Sequence, residues 1–167
     1  QCGIESVKEG TSIRINGGDF ENPNEPLNCG NSGTTVRLMV GLLAGKGITA
    51  EFIGDESLSK RPMNRIIEPL NQMGVSIQSD NGHLPISINP KNICSISYSS
   101  PVASSQVKSS ILLAGLGAYG ETRVQEKIKT RDHTEVMLKE LGAQIIIDND
   151  ISVQPLKQPL KTFEMTV

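Results

Sequence analysis

The chain of 167 residues contains no tryptophan, and phenylalanine and tyrosine together make up only 3% of it. Stacking on aromatic side chains is a main source of affinity for single-stranded nucleic acid, so the composition argues against that function. Positive charge is not in excess either, because the formal net charge is −2. We therefore expect no nucleic-acid partner and no membrane partner, and an anionic ligand must be held by a local group of donors.

Cysteine is scarce, and long hydrophobic runs are missing. Cys2, Cys29 and Cys94 are odd in number and far apart, which argues against a disulfide framework or a zinc site and favours a reducing compartment. No apolar run reaches the roughly 20 residues that a membrane-spanning helix needs. No signal peptide opens the chain. These features predict a cytoplasmic protein of one domain.

Small polar residues are concentrated in the stretch Leu27–Leu38, where two glycines flank the possible helix caps Asn31 and Ser32. From Val36 onward, apolar residues recur with helical spacing. The free N–H groups at residues 33–35 would then face outward at the positive end of the helix dipole. The pattern fits either an ordinary capped helix or an anion-binding helix start.

Three segments alternate apolar and polar residues, as half-buried strands do: Ser12–Asn16, Pro85–Pro90 and Ile151–Pro155. Before the second and the third, the pattern predicts an apolar helix, a strand, an amphipathic helix and a further strand. No such unit precedes the first. We therefore expect residues 1–28 to be the remnant of a first unit, followed by a second unit at 29–91 and a third at 92–157. Alternatively, the N-terminal arm is native and pairs with a later strand.

Periodicity and capping residues place the helices. Pro62 suits the first turn of one helix, and Asp132 and Glu135 have the spacing of a capping box. The segment Ile111–Leu116 is almost entirely apolar, so its helix is expected to be buried on all sides. Buried helices between sheets indicate a layered α/β domain. The predicted helices are Gly33–Gly45, Pro62–Met73, Ser104–Ala118 and Asp132–Leu141.

Arg61 lies beside a predicted helix start, where a cation gains nothing from the helix dipole. The planar guanidinium group matches carboxylate or phosphate. Arg61 could therefore meet an anionic ligand, or it could be a surface residue that pairs with Asp55 or Glu56. Both interpretations stay open.

Polar side chains also mark the start of the helix that begins near Ser104. The hydroxyls and the amide of residues 104–106 can cap this helix or hydrogen-bond a sugar or phosphate. Lys127, Lys129 and Arg131 alternate, so an extended chain would place them on one face. That face is either solvated or binds phosphate.

Four segments, in this order, closely resemble the motifs of the 5-enolpyruvylshikimate-3-phosphate synthase family: Leu27–Leu38, Gly54–Met63, Ser104–Ser109 and Thr130–Glu135. The likeness covers nearly the whole chain. It implies an α/β (α+β) enolpyruvyl transferase-like fold with two domains of three βαβαββ units each. This chain would hold most of the N-terminal-half domain with its first unit truncated, and residues 158–167 would be a tail toward the missing second domain.

The resemblance implies a transferase of the shikimate pathway of aromatic amino acid biosynthesis. The reaction moves the enolpyruvyl group of phosphoenolpyruvate to the 5-hydroxyl of shikimate 3-phosphate, with no metal or organic cofactor. By motif position, the phosphoenolpyruvate site, which the inhibitor glyphosate also occupies, would be lined by Gly33, Arg61 and Gln106. Shikimate 3-phosphate would be held by Ser104, Ser105, Gln106, Arg131 and Thr130. The first loop would be shaped by Asn31 and Thr34.

The motifs that supply proton transfer in this family have no counterpart here, so we assign no catalytic acid or base and expect binding without turnover. The related UDP-N-acetylglucosamine enolpyruvyl transferases share the fold, but the segment Ser57–Pro62 lacks the cysteine of their reactive loop. They are one alternative. The other is a non-catalytic module that binds phosphate ligands on the same fold.

Overall fold

The computed structural model describes residues 1–164. The chain begins with an antiparallel hairpin of β1 (Ser6–Glu9) and β2 (Ser12–Ile15). Both strands are exposed along their whole length, and Ile13 and Ile15 are each 66% exposed. The prediction of a half-buried strand at 12–16 is therefore wrong, because neither face of the hairpin is covered. Among the described residues β2 pairs with β1 alone. The alternative of an arm that pairs with a later strand holds only for its last two residues, Leu27 and Asn28, which pair in parallel with residues 52 and 53.

Two units follow the hairpin, with the same element order except for one additional short helix in the first. The first unit comprises β3 (Leu27–Asn28), α1 (Gly33–Gly45), β4 (Ala50–Ile53), the short helix α2 (Glu56–Ser59), α3 (Asn64–Gln72), β5 (Val75–Asp80) and β6 (His83–Pro90). The second comprises β7 (Ser97–Ser100), α4 (Ser105–Gly115), β8 (Thr122–Glu126), α5 (His133–Glu140), β9 (Ile145–Ile147) and β10 (Asp150–Val153).

The two units also share their sheet topology. The strand orders are β3-β4-β6-β5 and β7-β8-β10-β9, and in each sheet the first pair is parallel while the other pairs are antiparallel. The predicted repeat of βαβαββ units is therefore confirmed. The leading strands β3 and β7 were missed, because one has two residues and the other is a polar run. The division of the chain into domain parts stays a prediction.

The two apolar helices α1 and α4 pack directly against each other at the centre. Gly41 of α1 lies against the α4 backbone, and a Cβ atom built on it would lie 2.2 Å from the carbonyl oxygen of Ser110. Every residue of α4 from Val107 to Gly115 is buried, which confirms the expectation of a helix covered on all sides. This close packing brings the first turns of α1 and α4 to the same side of the molecule.

Two helix starts differ from the predictions. Helix α3 begins at Asn64, so Pro62 precedes it instead of occupying its first turn. At α5, the Asp132 side chain makes no capping hydrogen bond. Glu135 is only 1% exposed and pairs with a buried lysine, so the capping box is wrong: the ion pair takes the carboxylate that the cap would need. Within residues 1–164, no helix is long and apolar enough to cross a membrane.

Candidate functional site

The first turn of α1 is open to a ligand. Ser32 caps the helix by accepting a hydrogen bond from the Thr35 N–H at 3.1 Å. The first turn of a helix leaves N–H groups without partners, and among the described residues the N–H groups of Gly33 and Thr34 have none. Both groups lie at the positive end of the dipole, where a negative charge is favoured. Ser32, and not Asn31, is thus the cap, and the local geometry suits an anion.

Gln106 joins the first turns of α1 and α4. Its Nε2 donates to the Thr34 hydroxyl at 2.8 Å, and its Oε1 accepts from Arg37 Nη1 at 2.8 Å. The amide is therefore held at both ends, which fixes its orientation. Ser104 caps α4 by accepting from the Val107 N–H at 3.4 Å, and its own hydroxyl proton stays available for a ligand.

Arg61 contacts an asparagine and not an acid. Its Nη2 donates to Asn31 Oδ1, and Asn31 Nδ2 in turn donates to Asp55 Oδ2 at 2.8 Å. Glu56 pairs with Lys60 at 2.6 Å. The alternative in which Arg61 is a surface residue paired with Asp55 or Glu56 is therefore not what the structure shows.

Three arginine side chains lie close together here: Arg37 and Arg61 lie beside Gly33, and Arg65 lines a cavity together with Arg37. We call Arg37, Arg61 and Arg65 the arginine cluster. Within residues 1–164 none of the three forms a salt bridge. Burial, followed by the positive charges of Arg61 and Arg65, lowers the pKa of Arg37. Unneutralised like charges repel one another, so an anion placed among them would relieve a cost that the empty site carries.

Gly33 leaves the backbone bare beside this cluster. A Cβ atom built on it would lie 2.8 Å from Arg37 Nη1 and 3.5 Å from Arg61 Nη1. Its φ angle is not positive, so no special backbone conformation calls for glycine here. The missing side chain matters because it leaves space at the helix start.

Two adjoining cavities open at this junction. The larger has a volume of about 370 Å³ and is lined by Ala103, Ser104, Ser105, Gln106, Thr130 and Arg131. The smaller, of about 170 Å³, is lined by Arg37, Pro62, Arg65, Ser104, Gln106 and Val107. Ser104 and Gln106 line both. The larger cavity is within the range of pockets that bind small molecules, roughly 300–1,000 Å³.

The structure thus brings together the residues that the motifs singled out. Gly33, Arg61 and Gln106 lie at the α1–α4 junction, while Thr130 and Arg131 face Ser104 and Ser105 across the larger cavity. That they bind ligands stays a prediction. The alternating cations do not share a strand face, because β8 ends at Glu126, and Lys127 and Lys129 line neither cavity.

Sequence reasoning missed several residues of the site. Arg37 is four residues after Gly33 in α1, so helical spacing could have indicated it. Arg65 lies in the first turn of α3 and Arg61 precedes that helix, so spacing could not have indicated Arg65. It also missed a buried lysine at position 108, whose signal was that it is the one charged residue of its helix. Among the described residues, no group of three or more His, Cys, Asp or Glu side chains is placed to hold a metal ion.

Fold and site together define a class: an α/β protein of repeated βαβαββ units with arginine side chains and two cavities at two helix starts. The family model described as EPSP synthase (3-phosphoshikimate 1-carboxyvinyltransferase) matches residues 1–167. The chain belongs to this family.

Individual relatives agree with the family match. The chain is 59% identical over 121 residues to the 3-phosphoshikimate 1-carboxyvinyltransferase of Vesicomyosocius okutanii, covering 72% of this chain and 28% of the relative. It is 45% identical over 172 residues to that of Thermodesulfovibrio yellowstonii, covering 99% and 40%. The EPSP synthase of Acinetobacter baumannii superimposes with a TM-score of 0.89 at 40% identity, over 96% of this chain and 38% of that one. The chain therefore spans less than half the length of these relatives.

Proposed function

We propose that this chain forms one side of the active site of a 3-phosphoshikimate 1-carboxyvinyltransferase. The enzyme would transfer the enolpyruvyl group of phosphoenolpyruvate to the 5-hydroxyl of shikimate 3-phosphate and release phosphate. The observation that carries the proposal is the arginine cluster, which has no salt bridge within residues 1–164 and adjoins a cavity at two helix starts. Both substrates are anionic, and both carry phosphate.

Phosphoenolpyruvate is assigned to the junction of α1 and α4. Arg61 would pair with an anionic group of the substrate, and the bare backbone at Gly33 would let that group approach the free N–H groups. Gln106 would donate to the substrate from between the two helices, and Arg37, which holds Gln106, would add charge. Asn31 and Thr34 shape this loop by holding Arg61 and Gln106 in place.

Shikimate 3-phosphate is assigned to the larger cavity. The hydroxyls of Ser104 and Ser105 and the amide of Gln106 suit its hydroxyl and phosphate oxygens. Arg131 lies across from them and would pair with the phosphate. The Thr130 hydroxyl is already engaged by Glu126 at 2.5 Å, so its contribution would be to hold Arg131 in position.

Transfer also needs a proton donor, a proton acceptor and further charges on the other side of the substrates. We assign no acid or base within this chain, and we expect those groups in a second domain, since the chain covers only 28–40% of the length of its relatives. The cytoplasmic location expected from the sequence stays a prediction.

Phosphate release by the complete protein that contains this chain tests the proposal. We expect release that requires both phosphoenolpyruvate and shikimate 3-phosphate and that falls at least about a hundredfold in Arg61→Gln, since a charge-assisted contact to the reacting group is lost. A folded wild-type protein that releases no phosphate would favour the non-catalytic module. Release with UDP-N-acetylglucosamine as the acceptor would favour the other enolpyruvyl transferases.

A further inference from the structure

A buried cluster of charges lies directly beneath the residues assigned to shikimate 3-phosphate. Lys108, two residues after Gln106 in α4, is 2% exposed. Its Nζ atom lies 2.9 Å from Glu126 Oε2 and 2.5 Å from Glu135 Oε1. These three residues, the Lys108 triad, join α4 to the last residue of β8 and to the first turn of α5.

The triad reaches the cavity through Glu126. Its second oxygen, Oε1, accepts a hydrogen bond from the Thr130 hydroxyl at 2.5 Å. Thr130 and Arg131 belong to segment 127–132, which has neither helix nor strand. Within the described part of the chain, no other side-chain hydrogen bond or salt bridge ties this segment down. On the other side of Arg131, the Val136 N–H donates to the Asp132 carbonyl at the start of α5. Of the described side-chain contacts, the bond between Thr130 and Glu126 is therefore the one that can hold the loop at Arg131.

The charges of the triad suit this bond. One lysine faces two carboxyl groups, and Glu126 pairs with Lys108 through Oε2 while its Oε1 accepts from Thr130. Hydrogen bonds to a charged acceptor are roughly twice as strong as neutral ones. A loop that is held before the ligand arrives also saves the free energy of ordering it on binding.

We propose that the Lys108 triad positions Arg131 for recognition of the substrate phosphate: Lys108 fixes Glu126, Glu126 fixes Thr130, and Thr130 holds Arg131 at the cavity. This inference rests on the proposed function, because the phosphate concerned is that of shikimate 3-phosphate. Thr130 is then a positioning residue and makes no contact with the ligand through its hydroxyl.

The competing explanation is that the triad only holds the fold together. A second buried contact provides the matched control. The Ser109 and Thr134 hydroxyls are 2.7 Å apart and also join α4 to α5, but neither residue lines the cavity. Thr134→Val should lower the melting temperature and leave the substrate constants unchanged.

Steady-state kinetics of the complete protein separates the two explanations. Thr130→Val removes the bond and keeps the triad, and Glu126→Leu leaves Lys108 paired with Glu135. For each variant we expect the KM for shikimate 3-phosphate to rise about tenfold, the effect of losing roughly one charge-assisted hydrogen bond. We expect kcat and the KM for phosphoenolpyruvate to change less than about twofold, because the contact to the phosphate of the other substrate is lost equally in the ground state and in the transition state.

The double variant tests the proposed chain of contacts. Because Thr130→Val and Glu126→Leu remove the same bond, the double variant should bind no worse than the poorer single variant. Fold-changes that multiply would show that Thr130 contacts the ligand itself and would overturn the proposal. An unchanged KM in folded Thr130→Val would overturn it as well. A wild-type protein that shows no saturation with shikimate 3-phosphate would instead refute the proposed function, and this inference with it.

Discussion

A single methyl group would change the space at the start of α1. At Gly33, the methyl group of alanine would come within 2.8 Å of Arg37 Nη1 and 3.5 Å of Arg61 Nη1. The end of an arginine side chain can move, so the protein should fold, but Arg37 could no longer hold Gln106 at 2.8 Å. We therefore expect the methyl group to disturb the ligand site and to leave the stability of the fold nearly unchanged.

We accordingly expect Gly33→Ala to weaken inhibition by glyphosate more than it weakens use of phosphoenolpyruvate, because glyphosate is the longer of the two anions. A misplaced methyl group costs about 1–3 kcal/mol, roughly tenfold to a hundredfold in the inhibition constant. The measurement compares the glyphosate inhibition constant with the KM for phosphoenolpyruvate in the complete protein. Gly17→Ala, which adds the same methyl group in open space, is the control. An unchanged ratio in folded Gly33→Ala would contradict the assignment.

Helix α4 places the charged side chain of Lys108 in the core. The contribution of Lys108 to the free energy of unfolding depends on pH. Burial acts to lower the pKa of Lys108, but the hydrogen bonds and charges of Glu126 and Glu135 outweigh it, so the pKa is raised above the ordinary value of 10.5. Because the pKa of Lys108 is higher in the folded state than in the unfolded state, Lys108 stabilises the fold fully below about pH 10.5. This stabilisation is lost as the pH rises through the pKa of the folded state.

The free energy of unfolding should therefore show this loss in the alkaline range. We measure the free energy of unfolding of wild type and of Lys108→Met by urea denaturation. We expect the difference between the two values to be constant below about pH 10 and to become smaller at higher pH. The comparison with Lys108→Met cancels the titration of groups that Lys108 does not contact. A gap that stays the same across the alkaline range would show that Lys108 does not titrate with folding.

The packing of α1 on α4 makes a separate prediction. Alanine at position 41 would place its methyl group 2.2 Å from the Ser110 carbonyl oxygen, which is backbone and cannot move alone. Replacing glycine by alanine stabilises an isolated helix by about 0.5–1 kcal/mol. Overpacking of a core destabilises the fold by about 1–3 kcal/mol or more, so it outweighs that gain. We expect Gly41→Ala to destabilise the chain by about 2 kcal/mol in denaturant unfolding, with Gly17→Ala close to neutral. An increase in stability would contradict the close helix packing.

The spacing of apolar residues correctly predicted the elements whose burial depends on their own sequence. The start of α1 at Gly33 and the burial of α4 over Ile111–Leu116 follow from caps and apolar spacing alone, and the structure confirms both. It failed for β2, because the burial of a strand depends on what covers it. The capping box at Asp132 failed for a related reason: Glu135 is recruited by Lys108, and no local pattern can show a partner 27 residues away.

The site was accessible to sequence reasoning only in part. The motifs indicated Gly33, Arg61 and the residues around Gln106 because each motif is contiguous. The arginine cluster and the Lys108 triad are assembled from separate elements, and their geometry depends on how closely α1 and α4 pack. Such tertiary arrangements are what a single sequence leaves out.

The whole chain spans 28–40% of the relatives with which it was compared, and it contributes one face of the proposed active site. We therefore expect the 167 residues alone to release no phosphate from phosphoenolpyruvate and shikimate 3-phosphate above a heat-treated control. The physical reason is that the stabilising charges on the other side of the transition state would be missing, and preorganised charge is commonly the largest catalytic term. Steady release by the purified chain would contradict this expectation.

The central claim is that this chain recognises the phosphate of shikimate 3-phosphate at the start of α4. The most direct test is an NMR titration of the ¹⁵N-labelled chain with shikimate 3-phosphate and, separately, with shikimate. The account predicts weak but tighter binding of the phosphorylated compound, with shifts at the amides of Ser105, Gln106 and Arg131. Arg131→Ala should weaken it about tenfold and Ser105→Ala about threefold, because charge-assisted bonds are the stronger ones. Equal affinity for the two compounds in the folded chain would show that no phosphate site exists there.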